Sequence, residues 1–233
     1  MGDVAIPTAE FHKLVHPMLG LTVSRAWKGF GSAIFLELGK LSPPEEGENN
    51  SMGEFTIQPG FDWRVEANGM ILFGSQNSTP EIESRIVSFH GASVQKISVE
   101  GAVPEMVIEF STGYTLHSMT LFTGQPEWGI RLESQDYIFV KNGQYFLGEG
   151  IPDPLSEQDK ARLDLENRAA QRWGNPGVDP ASGKCANCMN YIRLDGHGDL
   201  LDWGCCAAAG GPFDSHVVRK TSGCSFFKRD EKD

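Results

Sequence analysis

The sequence lacks any long run of hydrophobic residues. No apolar segment in its 233 residues approaches the ~20 residues that a helix needs to cross a bilayer. The first residues also lack the basic region and apolar stretch of a secretion signal. We therefore expect a soluble, cytoplasmic protein without a membrane partner, in which the five cysteines stay reduced rather than form disulfides.

Recognisable catalytic motifs are also missing. The sequence contains no HExxH motif, no GxSxG nucleophile elbow and no Cys–His pair in a familiar order. Gly29 and Gly31 begin like a dinucleotide-binding loop, but a strand-like segment follows where that loop requires a helix. These absences favour a protein that is not an enzyme, although an active site in a pocket of the β domain needs no motif.

Basic residues are scarce in the first 150 positions. This segment has 9 Lys and Arg against 18 Asp and Glu, a net charge of −9 (9 − 18) out of −11 for the chain. Nucleic acid is a poor partner for such a surface, because its binding relies on Lys and Arg that neutralise phosphates. A basic protein is the better electrostatic match, although acidity also serves solubility alone.

Residues 1–150 have the pattern of a domain of short strands. Glycine and proline together number 40 (27 + 13), which favours turns over a helical bundle. Two short helices are predicted at about 8–16 and 80–89, capped by Thr8 and Thr79. Alternation of apolar and polar residues predicts strands at 21–26, 32–38, 55–58, 62–66, 70–73, 93–99, 105–110, 114–121, 128–133, 137–141 and 144–147.

Two halves of this segment correspond in sequence. Gly20-x-x-Val23 matches Gly91-x-x-Val94, Phe35-Leu36-Glu37-Leu38 matches Val107-Ile108-Glu109-Phe110, and Trp63-Arg64-Val65-Glu66 matches Trp128-Gly129-Ile130-Arg131. The correspondence predicts an internal duplication, with the apolar faces of two antiparallel β units buried on each other. Trp63 and Trp128 are then core anchors. The expected fold class is mainly β (α+β), with two pseudo-repeated halves.

A change in composition separates the rest of the chain. Ile151-Pro152-Asp153-Pro154 ends the β domain, and residues 151–179 read as a linker with a helix at 155–173. Ala161, Leu165, Ala169 and Trp173 lie four apart on one face of that helix. The tail at 180–233 holds every cysteine. We therefore divide the chain into 1–150, 151–179 and a cysteine-rich metal-binding tail at 180–233.

The cysteines carry the clearest chemical signal. Cys185-Ala186-Asn187-Cys188 is a CxxC, and a tight turn of this kind places two sulfurs on one ion. Four thiolates form the tetrahedral set that Zn²⁺ favours, and zinc would supply stability that a small tail lacks. The predicted ligands are Cys185, Cys188, Cys206 and Cys224. Cys205 is the substitute for Cys206, because adjacent residues in a strand point apart and only one faces the site.

Alternatives to zinc remain open at this point. The second CxxC of a zinc ribbon is missing, so His197 and His216 are possible substitute ligands, and the thiols could also bind no metal. The spacing of Cys185, Cys188, Cys205 and Gly223-Cys224 resembles the high-potential iron–sulfur proteins. That resemblance implies a 4Fe-4S cluster and electron transfer, although the gap from Cys205 to Cys224 is longer than in that family.

Two further resemblances bear on function. Asp202-Trp203-Gly204-Cys205-Cys206, followed by Gly223-Cys224, is similar to small zinc-binding tails of uncharacterised bacterial proteins, which favours Cys206 as the ligand. The short Trp-containing strands, with Gly74-Ser75 after one of them, resemble bacterial proteins of the toxin-immunity type. This resemblance implies a non-enzymatic interaction module that neutralises a basic toxin.

Overall fold

The computed structural model describes residues 3–43, 51–121, 128–149, 183–194 and 202–230, with single positions between 156 and 168. The chain divides into two compact units, Met1–Asp153 and Pro154–Asp233. Antiparallel strands dominate the described residues, which confirms the prediction of a mainly β protein. Among these residues, no helix has the length and apolar character that a membrane span requires.

The first unit contains a seven-stranded antiparallel sheet. In spatial order its strands are β1 (Val4–Ile6), β12 (Gln144–Gly148), β11 (Tyr137–Lys141), β10 (Gly129–Arg131), β4 (Phe55–Gln58), β3 (Ile34–Leu38) and β2 (Val23–Lys28). β1 is absent from the sequence prediction, because three residues before a proline are too few to show an alternating pattern.

A five-stranded antiparallel sheet completes the first unit. Its strands, in spatial order, are β6 (Met70–Gly74), β5 (Trp63–Ala67), β9 (Thr115–Ser118), β8 (Glu105–Phe110) and β7 (Val94–Glu100). The β5–β6 hairpin therefore pairs with β9 and belongs to the same sheet as β7 and β8, which all lie later in the chain. The β10–β11 hairpin, in turn, pairs with β4, which lies earlier in the chain.

Two helices precede the long strand pairs. They are α1 (Thr8–Val15) and α2 (Thr79–Ile86), and each continues into a single 3₁₀ turn. Thr8 and Thr79 are the first helical residues, so their prediction as caps was wrong. The cap of α2 is Ser78, whose backbone N–H donates to Oε2 of Glu81 over 3.2 Å. The sequence is ambiguous here because Ser78 and Thr79 are both good caps and proline suits either of the first two helical positions.

One hydrophobic core buries the inner faces of both sheets and of both helices. Trp63 and Trp128 are fully buried in it, as predicted for core anchors. Each indole N–H donates over 2.7 Å to a backbone carbonyl, that of Ser32 for Trp63 and that of Pro104 for Trp128. The two side chains therefore satisfy their polar atoms in the same way while they fill the core.

The strand pairs of the two sheets share their register. Val23 pairs with Leu38 and Val94 with Phe110, and a register shift follows both pairs. An antiparallel bridge between Thr22 and Ser93 joins the sheets where β2 and β7 begin. Three further cross-strand pairs have a counterpart in the other sheet. Arg25–Glu37 corresponds to Lys96–Glu109, Glu37–Thr56 to Glu109–Thr115, and Arg131–Thr56 to Glu66–Thr115.

The second unit contains a three-stranded antiparallel sheet, in the order β13 (Tyr191–Arg193), β14 (Trp203–Cys206) and β15 (Val217–Arg219). A 3₁₀ turn, Cys185–Asn187, precedes it. Several described positions between 157 and 168 are helical. The remainder of the helix predicted at 155–173, including Ala169 and Trp173, lies outside the described residues.

Candidate metal centre

The CxxC segment forms the tight turn that its spacing predicts. Cys185 opens the 3₁₀ turn, and the backbone N–H of Cys188 donates to the carbonyl of Cys185 over 2.9 Å. The next turn follows directly, because the N–H of Tyr191 donates to the carbonyl of Cys188 over 2.9 Å. The first two sulfurs are thus attached to one short, hydrogen-bonded segment.

Cys224 lies in a second turn that is bonded to the first. The N–H of Phe227 donates to the carbonyl of Cys224 over 3.0 Å, and the N–H of Cys185 donates to the carbonyl of Ser222. The close contact depends on glycine, since a Cβ at Gly223 would lie 2.2 Å from the carbonyl oxygen of Gly183. The backbone therefore holds Cys224 beside the CxxC turn.

Alternation along β14 separates Cys205 from Cys206. Cys206 is buried and pairs with Tyr191. Cys205 instead pairs with Ile192 and Val217, which are 60% and 39% exposed. Because successive side chains of a strand point to opposite faces, Cys206 belongs to the core side of this sheet and Cys205 to its outer side.

The four predicted ligands line one small cavity. Cys185, Cys188, Cys206 and Cys224 all border it, whereas Cys205 does not. Its volume is about 10 Å³, which is room for roughly one water-sized particle. Among the described residues of the second unit, the buried apolar cluster consists of Cys185, Cys206, Ala208, Phe213, Val218 and Cys224. Half of this core is therefore cysteine.

The thiols affect one another electrostatically. Burial and, to a smaller extent, the neighbouring thiolates of Cys224, Cys188 and Cys206 together raise the pKa of Cys185 to about 11. Negative charges gathered in a poorly hydrated site repel each other. A cation among the sulfurs would reverse this effect, because it favours the thiolate form.

The sulfurs are not already arranged as a finished coordination shell. In the part of the chain that the structure describes, no three His, Cys, Asp or Glu side chains form a ready-made set of metal ligands. None of the five cysteines forms a disulfide. Four of the five cysteines thus line one cavity as free thiols.

The histidines considered as substitute ligands lie elsewhere. His216 does not line the cavity, and its exposed ring places Nδ1 2.6 Å from the carbonyl oxygen of Asp214. His197 lies outside the described residues.

Tyr191 is a cavity residue that sequence reasoning missed. It lines the cavity, and its buried hydroxyl has no hydrogen-bond partner among the residues that the structure describes. Burial raises the pKa of Tyr191 to about 12, so the hydroxyl remains protonated and available as a donor. Only the pairing of Tyr191 with Cys206 brings it to the cavity, and no local sequence pattern specifies that pairing.

Comparison of the chain with family models, curated proteins and solved structures finds no match.

Proposed function

We propose that the second unit is a structural zinc module whose ligands are Cys185, Cys188, Cys206 and Cys224. The observation that supports it most is that these four cysteines, drawn from three separate segments, line one cavity of about 10 Å³. A closed set of four thiolates is typical of structural zinc, since a catalytic site keeps a position open for water or substrate. The metal would stabilise a small buried cluster that is half cysteine.

The dimensions of the cavity favour zinc over the iron–sulfur alternative. A 4Fe-4S cluster brings four irons and four sulfides between its cysteine ligands, whereas this cavity has room for about one water-sized particle. Coordination of a single ion needs less room between the four sulfurs than a cluster does. The Tyr191 hydroxyl, for which the described part of the chain offers no other partner, can then donate to a ligand sulfur, as outer residues of metal sites commonly do.

Elemental analysis of two matched variants tests this proposal. The parent chain and the Cys205→Ser variant should each carry one zinc per chain, while Cys206→Ser should lose it, although the two changes are chemically identical and adjacent. Iron instead of zinc in the parent chain would refute the zinc proposal and favour the iron–sulfur alternative. Zinc retained by Cys206→Ser and lost by Cys205→Ser would refute the ligand assignment.

We further propose that the whole protein is a non-enzymatic interaction module with a basic protein partner, of the kind a toxin-immunity protein binds. The net charge of −9 on residues 1–150 supports this, because opposite charge accelerates association. Glu81, Glu83, Glu100 and Glu133 are among the exposed acidic residues of that unit.

Ionic strength is the test of the electrostatic part. A partner captured from the native host should bind more slowly and more weakly as salt rises, because screening acts on exposed charges. Binding that is indifferent to salt between about 0.05 and 0.5 M would contradict the charge argument.

We also infer that residues 1–150 are an internal duplication whose halves have exchanged hairpins. The inference is supported by the matching register shifts before Arg25 and Lys96 and by the equivalent hydrogen bonds of Trp63 and Trp128. The bridge between Thr22 and Ser93 then lies on the pseudo-twofold axis, since these residues hold equivalent positions in the two halves.

A further inference from the structure

A cleft of about 210 Å³ is bordered by residues of β3, β4, β10 and β11 of the seven-stranded sheet, and the core residues Ile34 and Trp128 also line it. The residues that border it include Phe35, Gln58, Phe61, Gly129, Tyr137 and Phe139. Its volume exceeds the roughly 150 Å³ of an engineered cavity that binds benzene. A molecule of one or two rings therefore fits, whereas a typical drug-sized ligand needs more space.

The cleft follows a single row of residues across the sheet. Trp27 pairs with Phe35, and Gln58 lies one position beyond the pair of Leu36 with Ile57. The row continues in register through Gln58–Gly129, Gly129–Phe139 and Phe139–Phe146. Aromatic side chains thus stand on both sides of a floor made by one amide side chain and one glycine.

Both aromatic sides are held in place from behind. The ring of Phe35 stacks on Trp27 at 4.1 Å with an interplanar angle of 10°. The indole N–H of Trp27 donates to Oε1 of the buried Glu37 over 3.0 Å. On the other side, Phe139 stacks on Phe146 at 5.7 Å. A ligand ring therefore meets side chains whose conformations are already fixed, which lowers the entropy cost of binding.

The fold does not require a glycine at position 129. Its φ is not in the left-handed region, and an added Cβ would meet only Ile138 O at 3.6 Å and Phe139 Cβ at 4.0 Å. Glycine weakens the interior of a strand and often marks a site where a ligand approaches the backbone. The missing side chain at Gly129 is what leaves room in the cleft.

The corresponding row of the five-stranded sheet has no such cleft residues. There, register runs Ser98–Val107, Val107–His117, His117–Arg64 and Arg64–Gly74. Arg64 takes the place of Gly129, and Gly74 takes the place of Phe139. The same backbone framework therefore carries aromatic walls on one sheet and a charged surface on the other, so the framework alone does not account for the cleft.

Two polar groups border the cleft and are available to a ligand. The Gln58 amide and the Tyr137 hydroxyl make no side-chain hydrogen bond within the described part of the chain. An amide offers one acceptor and two donors side by side, which complements a ring edge that carries both kinds of group. The net charge of −9 on this segment disfavours an anionic ligand.

We propose that this cleft binds a neutral, flat heteroaromatic molecule of one or two rings, which lies over Gly129 against the ring of Phe139 with its polar edge on Gln58. The proposal rests on the first unit alone and is independent of the zinc module. Loss of zinc binding in the cysteine variants would leave it unaffected.

Titration of the full chain with adenine and with indole, followed by ligand-detected NMR, tests the site. Adenine is the probe with a hydrogen-bonding edge, and indole is a bicycle of similar size with fewer polar atoms. We expect saturable binding of adenine with a Kd of about 1 mM or tighter. Gly129→Val should weaken both probes by at least about tenfold, because the new side chain fills the cleft, and should keep the fold, because valine favours strands.

Two more variants separate stacking from edge recognition. Gln58→Leu should weaken adenine about fivefold, the effect of one lost hydrogen bond, and leave indole unchanged. The control variant is Arg64→Val, which introduces valine at the position of the five-stranded sheet that corresponds to Gly129. It should change the affinity for neither adenine nor indole. The proposal is overturned if neither probe saturates by about 5 mM, or if indole binds and adenine does not. It is also overturned if the Gly129→Val variant is folded, as judged by urea unfolding, and binds both probes as tightly as the parent chain does.

Discussion

Arg131 and Glu37 form a buried ion pair on the outer face of the seven-stranded sheet. Nη2 of Arg131 lies 3.8 Å from Oε2 of Glu37, with the two side chains 2% and 1% exposed. Thr56 links them, since its hydroxyl donates to Glu37 over 2.7 Å and accepts from Nε of Arg131 over 3.0 Å. The pair fixes Trp27, so it also supports one wall of the aromatic cleft.

Removal of one member of this pair should strongly destabilise the first unit. Arg131→Met leaves Glu37 as an uncompensated buried charge, and we expect the free energy of unfolding in urea to fall by about 3 kcal/mol or more. The control is Lys96→Met, which breaks the exposed Lys96–Glu109 pair (2.9 Å), in which Glu109 holds the position of Glu37, and should cost under about 1 kcal/mol. Equal losses of unfolding free energy in the two variants would show that burial does not make the Arg131–Glu37 pair more important for stability than an exposed pair.

Two glycines of the seven-stranded sheet should respond oppositely to alanine. Asn142 and Gly143 connect β11 to β12 with φ values of 51° and 74°, as the Asn-Gly pair predicts for a hairpin turn. Gly143→Ala should lower the free energy of unfolding by about 1 kcal/mol, because a Cβ is strained in the left-handed region. Gly129→Ala should be neutral or stabilising. A loss at position 129 as large as at 143 would contradict the space seen around Gly129.

Zinc affinity should decrease as the pH falls. Burial holds the pKa of Cys185 at about 11, so this thiol is protonated in the metal-free chain at pH 7 and must release its proton when zinc binds. Protons compete with zinc below the thiol pKa, so affinity should rise steadily with pH across the neutral range. Competition with a chromophoric chelator at several pH values measures this. An affinity that is the same at pH 6 and pH 8 would rule out thiolate ligands.

The hairpin exchange predicts how fragments of the first unit behave. Residues 1–78 lack β9, which pairs with β5, and residues 79–153 lack β4, which pairs with β10. Each fragment alone should therefore be unfolded by circular dichroism, while an equimolar mixture should regain the β spectrum as a one-to-one complex. A fragment that folds alone would show that the exchanged hairpins are not required for the fold of that half.

Alternation in sequence predicts strands well but does not predict their partners. It located the strands of the first unit from β2 to β12, because each carries apolar residues on one face. It gave no indication that β5 pairs with β9 and β10 with β4, since pairing depends on contacts between distant segments. The strands β13 to β15 were missed because three or four residues are too few to show an alternating pattern.

In the candidate site, too, the sequence predicts local structure but not contacts between distant segments. Local rules predicted the CxxC turn and the preference for Cys206, because turn geometry and alternation act over a few residues. Tyr191 escaped notice, since only its pairing with Cys206 brings it to the cavity. The aromatic cleft was also invisible in the sequence, because Phe35, Gly129 and Phe139 become neighbours only through the strand order of the sheet.

X-ray absorption at the zinc edge of the purified full chain identifies the atoms that bind the metal. Four sulfur neighbours are expected at about 2.3 Å, the distance of zinc–thiolate bonds, with no nitrogen or oxygen in the first coordination shell. A shell with fewer than four sulfurs, or one unchanged in the Cys206→Ser variant, would contradict the assignment of Cys185, Cys188, Cys206 and Cys224 as the ligands.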